Sequence, residues 1–417
     1  MGPLRVPGDK SISHRALILA VLGRGRSRIR GLLRSADIES TAEVLRALGA
    51  TIPDLAEETI EIEGVGLRGL RGAARPLDCG NSGTTARLMA GVVAGAGITA
   101  RFVGDASLSA RPMRRVSAPL EAMGARVELS AHGGLPMTVC GESLQGITWR
   151  SDIASAQLKS AILLAGLVGD VPVEVHEPAM TRDHTERMLQ ARGVDVRTEG
   201  LVVTIVPRAT LDAGDIEVPG DPSSAAFFVG LVAIGGAPEI ALANVGVNPG
   251  RTGAFHVLRR MGVRLRYADE LVQGGEPVAT LIATAGTLRS AIISPDEVPS
   301  LIDELPLLAC VAACAEGETR VTGAAELRVK ESDRISAIVS NLRAIGADAE
   351  ELPDGFVVRG SDRPLAGTVT THGDHRIAMA FGVLGVLSRN SIVFDDPSCV
   401  AVSYPTFWDD LARVRRR

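Results

Sequence analysis

Aromatic residues and cysteine are scarce in this chain. Its 417 residues include eight Phe, two Tyr and two Trp, and the formal net charge is −5. Nucleic-acid-binding surfaces usually combine a basic face with stacking rings, so this composition argues against a nucleic-acid partner. The five cysteines form an odd set without CxxC spacing. This usage favours a reduced, cytoplasmic chain over a disulfide framework.

Long hydrophobic runs and a targeting segment are also missing. No apolar run reaches the roughly 18 residues needed to cross a bilayer. The start, MGPLRVPGDK, lacks the basic-then-apolar pattern of a signal segment. We therefore expect no membrane partner. Hydrophobic residues make up 46% of the chain and charged residues 22%, which is typical of globular proteins, and the length predicts two or three domains.

One stretch of the sequence occurs twice. Residues 6–19 read VPGDKSISHRALIL, and residues 218–231, which start 212 positions later, read VPGDPSSAAFFVGL. The offset is close to half the chain, which indicates that a turn and the buried helix after it were duplicated with their domain. Only the first copy has Lys10, Ser11 and Arg15. The turn does not require these side chains, so they are candidates for function.

A shorter repeat lies inside each half. Five segments combine a helical apolar pattern, a glycine and a β-like run, and their glycines, separated by 75, 69, 69 and 84 residues, are Gly49, Gly124, Gly193, Gly262 and Gly346. The pattern predicts about six units, three per half, each with a helix stopped by glycine and followed by a strand. We place one domain at residues 9–220 and the other at 1–8 plus 221–417, with the ligand site between them.

Two glycine-containing turns precede predicted helices. Lys10, Ser11 and Arg15 open an apolar helix for which Ser11 or Ser13 is the expected cap, and a helix start with these side chains suits an anion. In DCGNSGTTAR, Gly83 lets the backbone approach a ligand closely. The alternative at the first turn is an ordinary helix cap with surface cations, and the alternative at the second is an ordinary tight turn with a helix cap.

Three further motifs combine polar and basic residues. In SDIASAQLK, Ser155, Ala156 and Gln157 begin a predicted helix, where hydroxyl and amide groups suit sugar hydroxyls or phosphate. Arg111 lies in the run RPMRR and Arg182 in MTRDHTERM, where a guanidinium could bind a carboxylate or phosphate. A plain helix cap and an exposed basic loop remain open alternatives.

The acidic candidates lie in the second half. Asp303 interrupts an apolar stretch, where a carboxylate at the start of a buried helix can act as a base or simply favour the helix dipole. In LRVKESDR, Lys330 and Arg334 would share one face if the segment were helical, although an exposed ion-pair lattice is the alternative. Asp374 is an expected cap, with Arg376 directed at a ligand.

The order of these motifs is more specific than any one of them. The succession PGDKSISHR, GNSGTTARL, RPM, SAQLKSA, TRDHTERM, PSLIDELP, LRVKESDR, GDHRIAMA and VSYPTF resembles the EPSP synthase family from end to end. The resemblance implies an α/β fold of two inside-out α/β barrel domains, each of three βαβαββ units, with the active site in the interdomain cleft. It implies a transferase that moves the enolpyruvyl group of phosphoenolpyruvate to the 5-hydroxyl of shikimate-3-phosphate. The implied reaction passes through a tetrahedral ketal that loses phosphate. It belongs to the shikimate pathway to chorismate and aromatic amino acids.

The resemblance also assigns roles to residues. It implies a shikimate-3-phosphate site formed by Lys10, Ser11, Arg15, Ser155, Ala156, Gln157, Arg182, Asp303 and Lys330. It implies a phosphoenolpyruvate site formed by Lys10, Gly83, Arg111, Gln157, Arg334 and Arg376. The implied catalytic residues are Asp303, Glu331 and Lys10, and His375 matches a residue beside the bound phosphate. It further implies no metal or organic cofactor and a cytoplasmic monomer.

Some positions depart from the family pattern. Val402 stands where many members have lysine, and Glu326 where others have asparagine. Ala156 within SAQLK resembles the branch that often tolerates glyphosate, and we expect tolerance here, although Gly83 keeps the open floor on which that inhibitor can lie.

Two other functions compete with this interpretation. The sister enzyme that acts on UDP-N-acetylglucosamine shares the fold and the donor, but its loop usually carries a reactive cysteine that GDASLSARPMRR lacks. The second competing function is that of an inactive binding domain of the same architecture, including a relative that acts on RNA ends. Activity with each acceptor discriminates among the three.

Overall fold

Helices and strands alternate along most of the chain, giving a mixed α/β fold. The computed structural model describes residues 3–207 and 209–415. These residues form two compact units. The N-terminal unit consists of Gly8–Val218 together with Gln273–Glu276, and the C-terminal unit of the segment ending at Pro7, Pro219–Val272 and the chain from Pro277 onward.

The N-terminal unit contains seven helices and eleven strands within its described residues. In chain order these are α1 Lys10–Leu22, β1 Arg24–Arg30, α2 Ala36–Ala47, β2 Thr59–Val65, β3 Leu77–Asp78, α3 Gly83–Gly95, β4 Thr99–Val103, α4 Ala106–Ala110, α5 Arg114–Ala122, β5 Arg126–Leu129, β6 Met137–Cys140, β7 Ile147–Arg150, α6 Ala156–Gly169, β8 Val173–His176, α7 His184–Gln190, β9 Asp195–Glu199, β10 Val202–Val206 and β11 Ile216–Glu217.

The C-terminal unit continues the same alternation. Its elements are α8 Pro222–Ala233, β12 Glu239–Gly246, α9 Gly253–Arg260, β13 Arg264–Gln273, β14 Glu276–Thr284, β15 Ile292–Ile293, α10 Leu305–Ala312, β16 Glu318–Val321, α11 Arg334–Ala344, β17 Asp348–Leu352, β18 Gly355–Arg359, β19 Ala366–Val369, α12 His375–Gly385, β20 Ser391–Phe394 and α13 Phe407–Arg415. Short 3₁₀ helices cover Pro249–Arg251, Val298–Ser300, Ile302–Glu304, Ala325–Val329 and Pro397–Val402.

The strands form small sheets of similar topology. The orders β3-β4-β6-β5, β7-β8-β10-β9 and β15-β16-β18-β17 each combine a parallel pair with an antiparallel hairpin. The remaining sheets are β11-β1-β2, β12-β14-β13 and β19-β20. Every sheet of the described residues is open, so closure of a single sheet does not form the expected barrel.

Buried helices occupy the core of each unit. In α1 and α8, the two copies of the duplicated stretch, nearly every residue is buried. Apolar residues therefore surround these helices on all sides, in contrast to the single apolar stripe of a surface helix. In the N-terminal unit, α3 and α6 approach so closely that a Cβ on Gly91 would lie 2.1 Å from the Ala161 carbonyl oxygen.

The cap of α1 differs from the expectation. The carboxylate of Asp9 accepts the hydrogen bond of the Ile12 amide at 2.8 Å, so neither Ser11 nor Ser13 is the cap. Asp221 takes the same position at α8 and accepts from the amide of Ser223 at 2.7 Å. An aspartate at this place serves the turn in both copies, which explains why it is common to both.

The predicted helix–glycine–strand pattern is confirmed in four of five segments. All five repeat glycines follow a helix and have φ between +74° and +111°. A strand begins two residues after Gly124, Gly193, Gly262 and Gly346. After Gly49 the next strand, β2, begins only at Thr59. The sequence there is ATIPDLAE, and Pro53 cannot donate to a strand ladder.

None of the helices between residues 3 and 207 or between 209 and 415 has the length and hydrophobicity required to cross a membrane.

Candidate active site

The start of α1 holds a buried arginine. Arg15 is 4% exposed, and its Nε and Nη2 donate to the hydroxyls of Thr185 and Ser160, both at 2.7 Å. Its Nη1 donates to the carbonyl of Ser11 at 2.9 Å. Burial lowers the pKa of Arg15 to about 10, against the opposing effect of nearby carboxylates such as Glu186. Arg15 therefore remains a cation at neutral pH in a fixed orientation.

Lys10 pairs with a carboxylate that the sequence motifs did not indicate. Its ammonium forms an ion pair with Asp37 on α2, a side chain that is 8% exposed. Behind this pair, Nδ1 of His14 lies 2.6 Å from the hydroxyl of Thr41, which in turn lies 2.6 Å from that of Thr85 on α3. Burial lowers the pKa of His14 to about 3, so this side chain is neutral. Hydrogen bonds thus join α1, α2 and α3.

Gln157 connects the starts of α3 and α6. Its Nε2 donates to the hydroxyl of Thr84 at 2.9 Å, and its Oε1 accepts from Nη1 of Arg87 at 2.6 Å. A Cβ on Gly83 would lie 2.7 Å from this same Nη1, so glycine leaves room for the guanidinium. Ser155 caps α6 and accepts from the Leu158 amide at 3.3 Å, as the sequence suggested.

Arg111 and Arg182 complete the basic cluster of the N-terminal unit. Arg111, 8% exposed, donates from Nη2 to the Asn81 side chain at 2.6 Å and to the Ser107 hydroxyl at 3.2 Å. Arg182 is half-buried and close enough to Arg15 for its charge to disfavour protonation there. Arg15 and Gln157 are thus joined to neighbouring helices by hydrogen bonds, Arg111 bonds Asn81 and Ser107, and Arg182 acts on Arg15 through its charge.

In the C-terminal unit, Arg334 is the centre of a second cluster. Its side chain is 1% exposed, and it donates to Asp374 at 2.7 Å, to Glu331 at 2.6 Å and to Asp303 at 3.4 Å. Burial opposes the charged form, but Asp374 and Glu331 outweigh it and raise the pKa of Arg334. For Asp374, burial favours the neutral acid, yet the charge of Arg334 lowers its pKa below the usual range.

Asp303 lies between cations at the start of α10. Its Oδ1 is 3.5 Å from Nζ of Lys330, and its Oδ2 is 4.0 Å from Nη2 of Arg376. Nη1 of Arg376 donates to the Asp303 carbonyl at 3.0 Å and to a carboxylate oxygen of Glu304 at 3.4 Å. The candidate base is thus 12% exposed and held by three positive side chains, including Arg334.

The segment from Arg328 to Arg334 is not helical as a whole. A 3₁₀ helix ends at Val329, Lys330 is extended, and α11 begins only at Arg334. Lys330 and Arg334 therefore do not share a helix face, but they still meet at Asp303. The expected cap at Asp374 is confirmed, because its Oδ1 accepts from the Arg376 amide at 3.0 Å.

The two clusters differ in their balance of charge. In the N-terminal unit, the side chains named above include five cations against few carboxylates: Lys10, Arg15, Arg87, Arg111 and Arg182. In the C-terminal unit, four carboxylates accompany three cations, namely Asp303, Glu304, Glu331 and Asp374 with Lys330, Arg334 and Arg376. The first arrangement suits the binding of polyanions, and the second supplies groups that can exchange protons.

Several residues of these clusters were not candidates in the sequence, although Ser160 and Thr185 lie inside the motifs SAQLKSA and TRDHTERM. Asp37, Ser160 and Thr185 are each more than 20 residues from the partner they contact, Lys10 or Arg15. A capping or packing role explains such side chains in a sequence equally well. Only the packing of α2, α6 and α7 against α1 shows their part in the site.

Comparisons with known proteins agree on one family. The family described as EPSP synthase (3-phosphoshikimate 1-carboxyvinyltransferase) matches residues 1–411. A 3-phosphoshikimate 1-carboxyvinyltransferase of Alkalilimnicola ehrlichii is 49% identical over 97% of this chain and 91% of its own length. That of Gloeobacter violaceus is 46% identical over 100% and 97%.

Solved structures are similar as well. An EPSP synthase from Acinetobacter baumannii superposes with a TM-score of 0.86 at 42% identity, covering 99% of this chain and 95% of that one. The enolpyruvyl transferase NikO from Streptomyces tendae gives 0.76 at 20% identity, over 99% of this chain and 94% of its own, a likeness that concerns the fold alone.

Proposed function

Because this chain belongs to the EPSP synthase family, we propose that it transfers the enolpyruvyl group of phosphoenolpyruvate to the 5-hydroxyl of shikimate-3-phosphate. Phosphate is released, and the product leads through chorismate to aromatic amino acids. The observation that carries this proposal is the joining of the starts of α1, α3 and α6 into one cationic cluster through Arg15, Gln157 and Arg87. Helix N-termini and guanidinium groups both stabilise phosphate and carboxylate.

The proposal assigns the two substrates to neighbouring parts of one site. Shikimate-3-phosphate is held by Lys10, Ser11, Arg15, Ser155, Ala156, Gln157, Arg182, Asp303 and Lys330. Phosphoenolpyruvate is held by Lys10, Gly83, Arg111, Gln157, Arg334 and Arg376. Both substrates are anions that repel each other, and a cluster of fixed cations offsets this repulsion.

A site of this kind requires both units. We propose that they are the two inside-out barrel domains of the family, at residues 9–220 and at 1–8 plus 221–417, with the substrates in the cleft between them. In each unit several candidate residues lie at or just before the starts of helices: α1, α3 and α6 in one, α10, α11 and α12 in the other. This common placement supports a site to which both units contribute helix N-termini.

The chemistry needs a base and an acid that exchange roles. Asp303 takes the proton of the 5-hydroxyl as the hydroxyl oxygen attacks the central carbon of the enol. Glu331 and Lys10 transfer the proton that the methylene carbon gains and act on the bridging oxygen of the phosphate. The tetrahedral ketal then loses a proton from its methyl group and expels phosphate. The methylene carbon thus gains a proton when the ketal forms and loses one when phosphate leaves, so it is again a methylene group in the product.

Two ion pairs must open for this to happen. Lys10 is paired with Asp37, and Glu331 accepts from Arg334 at 2.6 Å. The carboxylate of phosphoenolpyruvate can replace Glu331 on Arg334, because both are bidentate anions. Donor binding then releases Glu331 for proton transfer. Arrival of the acceptor phosphate separates Lys10 from Asp37 in the same way.

A phosphate-release assay with shikimate-3-phosphate and phosphoenolpyruvate tests the activity. We expect Asp303→Asn to lower kcat by roughly a hundredfold to ten-thousandfold, as for loss of a general base. Asp348→Asn is the matched control, since this carboxylate is exposed and pairs with the exposed Arg359 at 3.4 Å. Near-normal turnover of Asp303→Asn would reject Asp303 as the base. Release with UDP-N-acetylglucosamine in place of shikimate-3-phosphate would indicate the sister activity instead.

The remaining parts of the proposal concern inhibition by glyphosate, the oligomeric state, the localisation and the need for cofactors. We propose that the enzyme tolerates glyphosate, and an inhibition constant in the low-micromolar range against phosphoenolpyruvate would contradict this. We further propose a cytoplasmic monomer that needs no metal or organic cofactor. Sedimentation of the full chain and activity after dialysis against a chelator test these two points.

A further inference from the structure

Lysine is rare in this chain. It occurs three times, as Lys10, Lys159 and Lys330, among 44 basic residues. Lys10 and Lys330 belong to the clusters described above, whereas Lys159 lies inside α6, two positions after Gln157. An ammonium is a compact point charge and a guanidinium a planar fork, so the two are not interchangeable in a confined place. In a chain that otherwise uses arginine, the third lysine marks a position that requires the smaller cation.

Lys159 is enclosed with two carboxylates. Its side chain is 2% exposed, and its Nζ lies 2.8 Å from Oε2 of Glu177 and 2.6 Å from Oε1 of Glu186. The two glutamates are 5% and 3% exposed. Buried ions are costly unless they are paired, and apolar residues of similar volume would stabilise the fold as well or better. Stability alone therefore does not account for this triad.

One arm of the triad leads to the buried arginine of the anion site. Glu186 follows Thr185 on α7, and Ser160 follows Lys159 on α6. The hydroxyls of Thr185 and Ser160 accept two of the three hydrogen bonds from Arg15, and Thr185 donates to Ser160 at 2.8 Å. The pair Lys159–Glu186 thus fastens α6 to α7 next to the two hydroxyls that orient Arg15.

The other arm leads to the second arginine of the same site. Glu177 directly follows β8, and its Oε1 accepts the hydroxyl hydrogen of Thr181. Thr181 directly precedes Arg182. Lys159 therefore restrains the segment that carries Arg182 as well as the helix that supports Arg15.

The triad also favours the charge of Arg15. Burial raises the pKa of Glu186, while the ammonium of Lys159 opposes this and favours the charged carboxylate. Glu186 is the group that most strongly counteracts the effect of burial on the pKa of Arg15.

We propose that Lys159 is a positioning residue for the phosphate of the acceptor substrate, acting through Glu186 on Arg15 and through Glu177 on Arg182. This inference rests on the proposed function and goes beyond it. Lys159 does not contact the substrate. It keeps two arginines at the separation that a phosphate group requires, so its loss weakens recognition of the 3-phosphate and leaves the ring and the donor unaffected.

The test compares two acceptors that differ only in the phosphate. Binding of shikimate-3-phosphate and of shikimate to the full-length protein is measured by calorimetry for the wild type and for Lys159→Met. We expect the affinity for shikimate-3-phosphate to fall by roughly a hundredfold, a typical cost of misplacing a binding group by about 1 Å. The affinity for shikimate and the KM for phosphoenolpyruvate should stay near their wild-type values.

Arg192→Met is the matched control. Arg192 is a half-buried cation of the same unit that donates to the carbonyls of Leu19 and Gly214, whereas Arg15 donates to Thr185, Ser160 and Ser11. Its replacement should reduce stability but keep the ratio of the two affinities. An unchanged ratio in Lys159→Met, or an equal change in Arg192→Met, would overturn the inference.

A second variant covers the case in which Lys159→Met does not fold. Glu186→Gln keeps the shape of the side chain but removes its charge, and it should lower the affinity for shikimate-3-phosphate selectively. A preserved preference in this variant would contradict the role of the triad. If the wild type itself showed no preference for the phosphorylated acceptor, the proposed function would fail, which is a different result from failure of Lys159.

Discussion

Burial determines the charge state of the ionisable residues around the candidate site. Arg15 and Arg334 are both almost fully buried and both remain cations, Arg15 with a pKa lowered to about 10 and Arg334 with a raised pKa. The difference follows from their partners, since Arg15 bonds hydroxyls and a carbonyl and Arg334 bonds carboxylates. Arg15 therefore has less of its charge neutralised by direct partners, which suits it to bind an incoming phosphate.

His14 should make stability depend on pH. Its folded pKa of about 3 lies below the ordinary 6.5, because burial disfavours the charged ring. Between these values the unfolded chain binds the proton and the folded chain does not, so stability falls as the pH decreases from 6.5 towards 3. We expect His14→Asn to make this decline shallower, by up to about 1.4 kcal/mol per pH unit.

The measurement is the free energy of unfolding in urea at several pH values from 4 to 7. His132→Asn serves as the control, because His132 is exposed and its surroundings change little on unfolding. Identical slopes for His14→Asn and the wild type would show that His14 does not contribute.

Gly83 should matter for the donor. A methyl group there would lie 2.7 Å from Nη1 of Arg87 and 3.5 Å from that of Arg111, so the flexible guanidinium of Arg87 must move. This motion disturbs its bond to Gln157. We expect Gly83→Ala to raise the KM for phosphoenolpyruvate about tenfold, which corresponds to about 1.4 kcal/mol, with little loss of stability.

Gly72→Ala is the control for this substitution, since the nearest atom to its added Cβ is 3.5 Å away. Steady-state kinetics with each substrate varied in turn separates the effect on the donor from that on the acceptor. A rise confined to the KM for shikimate-3-phosphate would show that Gly83 belongs to the acceptor site and not to the phosphoenolpyruvate site.

At the level of secondary structure, helix starts carry most of the site. Asp9 and Asp221 cap the duplicated helices α1 and α8, and Asp374 caps α12. The sequence predicted the positions of these helices well, because their apolar runs and the glycines after them are local signals. It placed the cap of α1 at a serine, since serine and aspartate are nearly equal as caps and only backbone geometry distinguishes them.

The two equivalent caps should differ in their contribution. Loss of the capping bond to the Ile12 amide in Asp9→Ala should by itself cost about 1 kcal/mol. Asp221→Ala also breaks the ion pair with Arg251, where the side chains are 2.9 Å apart and 9% and 2% exposed. An unpaired buried charge costs about 3–5 kcal/mol, so this variant should be clearly less stable.

Urea denaturation of both variants measures the difference, and Asp9→Asn and Asp221→Asn, which keep a capping oxygen, are the controls. Equal losses for the two alanine variants would show that the Asp221–Arg251 pair adds nothing to the cap.

At the level of the whole molecule, the two units contribute different chemistry. The N-terminal unit holds most of the cations at Lys10, Arg15 and Arg111, and the C-terminal unit holds the candidate proton-transfer groups Asp303 and Glu331. The proposed reaction uses the cations of the first cluster to hold two polyanions and the carboxylates of the second to exchange protons with them. The proposed reaction therefore depends on substrate contacts with both units.

Hydrogen exchange should reveal this dependence. Shikimate-3-phosphate binds groups of both units in the proposed site, so we expect slower amide exchange at the starts of α1 and α6 and also in residues 325–334. Phosphoenolpyruvate added at equilibrium should extend the protection to the start of α12.

Protection confined to the N-terminal unit, even with both substrates present, would contradict a site shared by the two units. Shikimate at the same concentration is the control, because it lacks the phosphate that the basic cluster binds.

The sequence by itself determined which residue types and motifs this protein has, in what order, and where most of its helices begin, since these properties depend on neighbouring residues. The tertiary structure decided the partners: Asp37 for Lys10, Ser160 and Thr185 for Arg15, and Glu186 for Lys159. These pairs join elements that are distant in the chain. Their formation depends on how buried helices pack against one another, which no local pattern of residues specifies.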